Sequence, residues 1–288
     1  MTVRNRTDDI IVVYLIVTAF LAGVYRANLP EWEMVLLIHG VGACLLYGLR
    51  FLPEGLPLGV RFVRDWYPLM IFPLLYKEVE GLASVVGNWK LTDVLVNVEV
   101  AMFRGHPSLY LSEGLPYVVL SEYLHFCYFA YVLLVPLVGG RWYFGGRKQP
   151  FDELLWLVSV TFASSYLFYI LFPVDSPFYR FDALEAPLRG SFFYELVHFV
   201  SERGGARGGA FPSSHVSIST IVLLEVFRHE RRLFTWLLPV YLGLVTATVY
   251  GRFHYAVDVL GGWLLAAAVV GLSVAIQPRH SRSSGACS

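Results

Sequence analysis

Charged residues are missing from long stretches of this chain rather than thinned out evenly along it. A helix needs about 20 mostly apolar residues to cross the hydrocarbon core of a bilayer. Apolar blocks at 10–26, 33–52, 66–87, 118–139, 153–173, 213–228, 233–251 and 256–277 predict eight such helices. The third block is interrupted by Pro68, Pro73, Lys77, Glu78 and Glu80, and the sixth is short. Between the third and fourth, NWKLTDVLVNVEVAMFRGHPSLYLSEGLP predicts an interfacial helix followed by a loop. SFFYELVHFV, which contains His198, reads as an amphipathic helix lying at the interface. The pattern therefore predicts an all-α polytopic membrane protein with about eight transmembrane helices. A polar segment at 278–288 is expected to be a disordered cytoplasmic tail.

Composition strengthens this picture. The 288 residues are 56% hydrophobic and only 15% charged, against roughly 25% charged in soluble domains. Mean hydropathy is +0.57. The formal net charge of zero leaves no bulk field to draw the chain to nucleic acid. The three cysteines form no disulfide framework, since Cys44 and Cys127 lie in apolar blocks and Cys287 in the tail. The first apolar block is long and follows Asp8 and Asp9, which predicts a retained helix rather than a cleaved signal peptide.

Basic residues orient the helices. Eight spans place both termini on one side, with Arg4, Arg6, Arg50, Arg61, Arg64, Arg141, Arg147, Lys148, Arg228, Arg231, Arg232, Arg279 and Arg282. The other side holds Arg26, Lys90, Arg104, Arg180, Arg189, Arg203, Arg207 and Arg252. Thirteen against eight predicts cytoplasmic termini.

Two phrases then fall on the extracytoplasmic face: GGAFPSSHVSIS at 208–219, opening the sixth span, and YGRFHYAVDVLGG at 250–262, joining the seventh to the eighth. His254 and Asp258 are four apart and share a face if the helix has begun there. A carboxylate on one imidazole nitrogen fixes the tautomer and leaves the other as a nucleophile. In Pro212-Ser213-Ser214-His215, proline suits the first turn of a helix, and the amides that follow form an anion site. Ser213 and Ser214 add donors, and Arg252 and Arg180 offer planar forks that match phosphate oxygens. Such a set predicts phosphoryl transfer through a phosphohistidine, with His254 attacking phosphorus and His215 as acid and base. It calls for no metal and no cofactor, and no zinc spacing or nucleotide loop is present in the sequence.

At these residues the chain resembles the type 2 phosphatidic acid phosphatase superfamily. PSSH is similar to that superfamily's Pro-Ser-x-His motif, and His254 with Asp258 matches its His-x-x-x-Asp. The arginine of that second motif stands closer here, at Arg252, and the Lys-x-x-x-x-x-x-Arg-Pro motif is absent. LFPVDSPFY, GGAFPSSH and HYAVDVLGG resemble the branch containing fungal inositol phosphorylceramide synthase, the aureobasidin A target. RDWYPLMIFPLLYKEVEGL and MFRGHPS resemble that branch's bacterial members. The resemblance implies His254 as nucleophile, Asp258 as its partner and His215 as acid–base. It also implies a six-helix catalytic domain over 64–277, preceded by two helices in 1–63. Arg180 and Lys77 are the candidates for the missing lysine's place.

The partners expected are a lipid phosphate and, for transfer, an alcohol acceptor. Hydrolysis and inositolphosphate-type transfer both fit, and the residues do not choose between them. A lipid transporter that only binds phosphate is the rival reading; it is weakened by polar motifs crowding one half rather than repeating in both. A vanadate haloperoxidase site is disfavoured by the membrane setting and the missing lysine. Outside this set, Glu122 and His125 are expected to bond between helices, and His39 and Glu225 to pair or pack.

Overall fold

The computed structural model describes residues 3–276 apart from 54, 88–90, 183 and 185–191, and the side chains of 3–5 and 50 also lie outside it. The expected tail at 278–288, with Lys90, Arg189, Arg279, Arg282 and Cys287, therefore lies outside the described residues. The described residues form α1 (Val3–Val24), α2 (Trp32–Gly48), α3 (Leu58–Val86), α4 (Leu91–Phe103), α5 (Pro107–Gly114) and α6 (Val118–Phe144). There follow α7 (Lys148–Leu171), α8 (Pro177–Arg180), α9 (Phe192–Gly204), α10 (Ser214–His229), α11 (Arg231–Tyr250) and α12 (Ala256–Ile276).

Eight of these helices coincide with the eight apolar blocks, and the protein is an all-α polytopic membrane protein. Five, α1, α6, α7, α11 and α12, are long and apolar enough to cross a membrane. The other three fall short for different reasons. α2 is apolar but has 17 residues, α10 has 16, and α3 is long but carries charge. α3 begins at Leu58, so the boundary expected at 63/64 falls inside a helix. Its polar first turns have partners at that end: Arg64 donates to the Leu49 carbonyl at 3.1 Å, and Tyr143 donates to Asp65 at 3.2 Å. Where a helix and a loop were expected before α6 there are two helices. Proline opens the second, α5, at the position where a missing amide costs nothing.

α7 is the hub. It is buried along most of its length and packs against α1, α3, α6, α10 and α12. α10 lies between α7, α11, α12 and α6. Some ionisable groups inside these interfaces are paired, which lowers the cost of placing them in a hydrocarbon setting. His39 of α2 lies 3.0 Å from Thr18 of α1 and 2.8 Å from Glu78 of α3, tying three helices together. Glu225 accepts from Arg228 at 2.6 Å.

α3 and α6 meet at one end only. There Trp66 rests against Gly139, and Phe62 stacks on Phe144 with centroids 6.2 Å apart. Toward α9 the two helices part, and a cavity of about 470 Å³ opens between them.

Candidate active site

The two motif segments are joined through backbone. The Ser213 amide donates to the Asp258 carbonyl at 3.0 Å, which fixes the start of α10 against the first turn of α12. Glycine permits this approach. A Cβ on Gly262 would stand 2.7 Å from the Ser213 carbonyl oxygen, and one on Gly261 would stand 2.5 Å from the Phe211 ring. The GG of DVLGG thus allows α12 to lie against FPSSH.

This contact brings His215 and His254 together edge to face. Their ring centroids are 5.5 Å apart, with His254 Nε2 3.4 Å from His215 Nδ1. The other nitrogen of His254, Nδ1, lies 2.9 Å from the Ala210 carbonyl oxygen and 3.4 Å from Asp258 Oδ2. A carbonyl only accepts, so Nδ1 carries the proton and Nε2 presents its lone pair. Asp258 is fully buried; its Oδ2 accepts from the Tyr255 amide at 2.8 Å, and its Oδ1 has no hydrogen-bond partner. His215 is held by rings from α6, with Tyr128 stacked on it at 4.7 Å and Tyr131 tilted against it at 4.3 Å.

Both histidines line the cavity between α3 and α6, together with Lys77 and Ser214. The Gly-rich turn before α10 contributes Gly205, Ala206, Gly209 and Ala210 to the same wall. Lys77 donates to the Arg203 carbonyl at 2.8 Å, which sets its ammonium at the edge between α3 and α9. From the histidines the cavity runs along α6 from Tyr128 to Pro136 and along α3 from Lys77 to Leu69. Eight residues of helix are about 12 Å. Its lining there is apolar, and Pro73, Val132 and Pro136 are exposed on the outer surface of the helices. α9 roofs the cavity with Val197, Val200 and Ser201.

The remaining sequence-derived residues lie elsewhere. Arg252 has a left-handed backbone, φ 61°, and does not line the cavity. Its guanidinium donates to Ser112 Oγ at 3.0 Å and to the Asp182 carbonyl at 2.6 Å, with Glu113 at 3.3 Å. Arg180 pairs with Asp93 at 2.9 Å and does not line the cavity. Ser213 caps α10, accepting from the Val216 amide at 3.4 Å, a bond type worth about 1 kcal/mol. The Ser214 amide donates to the Tyr169 hydroxyl at 3.2 Å. Part of the first turn that seemed available to an anion is therefore already used.

Several contributors were not read from the sequence. Ala210 acts through its carbonyl, which no residue type advertises. Tyr128 and Tyr131 are three apart in an aromatic-rich run and mark one helix face, but not the ring they clamp. Glu122 does bond between helices, accepting from the Phe193 and Tyr194 amides at 3.1 and 3.0 Å and so capping α9. His125 instead bonds within its own helix, with Nδ1 2.7 Å from the Ser121 carbonyl, because its ring is packed among Tyr194, His198 and Phe253. Glu153, Glu225 and His229 form the one cluster of metal-ligand character found among the described residues. It lies at the far end of α10 from His215, and Arg228 already neutralises Glu225.

A family model described as the PAP2 superfamily matches residues 101–272, more than half of the chain. The matched span contains Ser213, His215, Arg252, His254 and Asp258, and leaves out Lys77. No curated protein and no solved structure matches the chain.

Proposed function

The chain belongs to the PAP2 superfamily, and from that premise we propose that it cleaves lipid phosphates through a phosphohistidine on His254. Members of the superfamily are generally phosphatases or phosphotransferases. One observation carries the finer reading. An imidazole with its lone pair directed outward stands beside a second imidazole, at the polar end of an apolar cavity that opens sideways between two helices.

In the proposed reaction, substrate phosphorus enters beside the pair and replaces the contact between the two nitrogens. His254 Nε2 attacks phosphorus and the bond to the lipid oxygen breaks. His215 gives its proton to that oxygen, and the lipid alcohol leaves. Water then attacks the phosphohistidine, losing a proton to His215, and phosphate departs as the P–N bond breaks. Asp258 and the Ala210 carbonyl hold Nδ1–H throughout and stabilise the positive ring. Lys77 supplies a charged donor to phosphate oxygens within the cavity, and Ser214 a hydroxyl beside His215. Arg252 and Arg180 act at one remove, holding α5, α4 and the segment before α9 around the site. The active site is placed on the extracytoplasmic face, on the strength of the basic-residue count.

Hydrolysis is favoured by the lining. A polyol headgroup such as inositol brings many hydroxyls, and each buried without a partner is costly. Among the described residues, Lys77 is the only lysine, arginine or acidic side chain on the wall and no amide side chain lines it, so serine and tyrosine hydroxyls make up the rest of its polar side chains apart from the histidines. Transfer to an alcohol remains a second reading, favoured by the resemblance of 171–181, 208–215 and 254–262 to the inositol phosphorylceramide synthase branch.

Purified protein given labelled lipid phosphates, with and without inositol or diacylglycerol, separates these outcomes. Released phosphate supports hydrolysis, labelled product lipid supports transfer, and movement of intact lipid across vesicles without cleavage supports a transporter. His254→Ala should lower turnover by about 10³-fold or more. The wild type should trap acid-labile phosphate on residue 254. Normal turnover in His254→Ala removes the nucleophile assignment.

A further inference from the structure

α12, the helix that carries Asp258, starts with Tyr255 in the position where Ser, Thr, Asp or Asn usually caps. Its first amides point out of the helix with no acceptor inside it, and the residue before Ala256 is Tyr255, whose hydroxyl makes no hydrogen bond. Asp258 supplies one half of a capping arrangement by reaching back to the Tyr255 amide at 2.8 Å. The other half comes from a different helix. Glu99 of α4 accepts from the Ala256 amide at 2.7 Å and also takes the Val257 amide.

Glu99 is completely buried, and nothing in the phosphate chemistry uses it directly. It lies two residues before the span matched by the family model. Its other oxygen faces His106 Nδ1 at 3.3 Å, and the His106 ring packs on Phe181 at 5.0 Å. The charged or titratable groups around it are His106 ahead of α5, Asp258 of α12 and Tyr255, with Arg180 of α8 acting on Tyr255 from beyond. Burial pushes the Glu99 carboxyl up, the bonds from His106 and the two amides pull it down, and the Asp258 charge pushes it up again.

We infer that Glu99 is a positioning residue for the reaction, capping α12 from α4 and so fixing the height and rotation at which Asp258 faces His254. The inference rests on the assignment of His254 as nucleophile. Asp258 touches two groups through one oxygen, so a small slide of α12 separates it from His254 Nδ1. Misplacement of a catalytic group by about 1 Å can cost on the order of 10²-fold in rate.

The test uses the full-length protein with Glu99→Ala and Glu99→Gln, with His254→Ala as the inactive control. Glu99→Ala should lower kcat by roughly 10- to 100-fold at nearly unchanged KM. Glu99→Gln keeps a carbonyl acceptor and should return kcat to within about 3-fold of the wild type. It also removes a charge near the Asp258–His254 pair, so the acid limb of its kcat/KM profile should move to lower pH. Loss of fold stability alone would lower the active fraction without moving that limb. Hydrogen exchange over 254–262 gives an answer that needs no turnover: the Ala256 and Val257 amides should exchange faster in Glu99→Ala and stay protected in Glu99→Gln. Wild-type kcat and pH profile in Glu99→Ala, or equal exchange in all three proteins, overturns the inference. If the wild type releases no phosphate and makes no product lipid, the proposed function fails, and exchange still decides whether Glu99 holds α12. If Glu99→Ala does not fold, the pH limb and exchange of Glu99→Gln decide it.

Discussion

His254 has two acceptors at Nδ1, and the nearer is the Ala210 carbonyl at 2.9 Å rather than Asp258 at 3.4 Å. The backbone therefore secures the tautomer, and the carboxylate contributes mainly charge. In serine hydrolases, losing the correct tautomer costs about 10⁴-fold. Asp258→Asn in this protein should cost less, about 10²-fold in kcat, because Ala210 still takes the proton-bearing nitrogen. Single-turnover phosphorylation of His254 in that variant measures the loss directly; a loss as large as that of His254→Ala would give the tautomer role to Asp258. At the residue scale the juxtaposition of the motifs was legible where side chains carry it: Ser214 and His215 of PSSH and His254 of HxxxD line one cavity. Arg252 was not legible in the same way, because its guanidinium is taken by Ser112, Glu113 and the Asp182 carbonyl, partners 70 or more residues away in sequence.

Among the helices, the decisive contact is α12 on the start of α10. The Ser213 amide to Asp258 carbonyl bond needs the backbones close, and Gly262 is the residue that lets them approach. Gly262→Ala places a methyl 2.7 Å from the Ser213 oxygen and 2.9 Å from Val216 Cβ, both on ordered backbone or a β-branched stem. Overpacking of this kind typically costs about 1–3 kcal/mol. The variant should show a lowered Tm and a larger loss of kcat than Gly271→Ala on the same helix, where a Cβ meets nothing within 4 Å. Equal effects at the two positions would remove the close approach as the reason. The helices themselves were visible as apolar blocks, while their ends were not. α3 extends back to Leu58 through Arg61, Arg64 and Asp65, charges that a hydropathy window rejects but that Leu49 and Tyr143 accommodate.

For the molecule as a whole, the α6–α7 turn and α9 lie at opposite ends of α6, and the proposed orientation puts the first in the cytoplasm. In a background with Cys44, Cys127 and Cys287 replaced by serine, Glu202→Cys on α9 should react with an impermeant thiol reagent in intact cells. Lys148→Cys at the start of α7 should react only after the membrane is opened. The reverse labelling would move the site to the cytoplasmic face. The cavity was not legible in any single stretch. It exists because α3 and α6 touch at Trp66 and Gly139 and then diverge, and divergence of two helices far apart in sequence leaves no local trace. That wedge also determines how the enzyme would meet its substrate. With Pro73, Val132 and Pro136 exposed on the flank of the bundle beside the cavity, the proposed lipid substrate would reach it by diffusion within a two-dimensional sheet. The governing quantity is then the mole fraction of substrate among neighbouring lipids, so inert lipid acts as a diluent while added water does not.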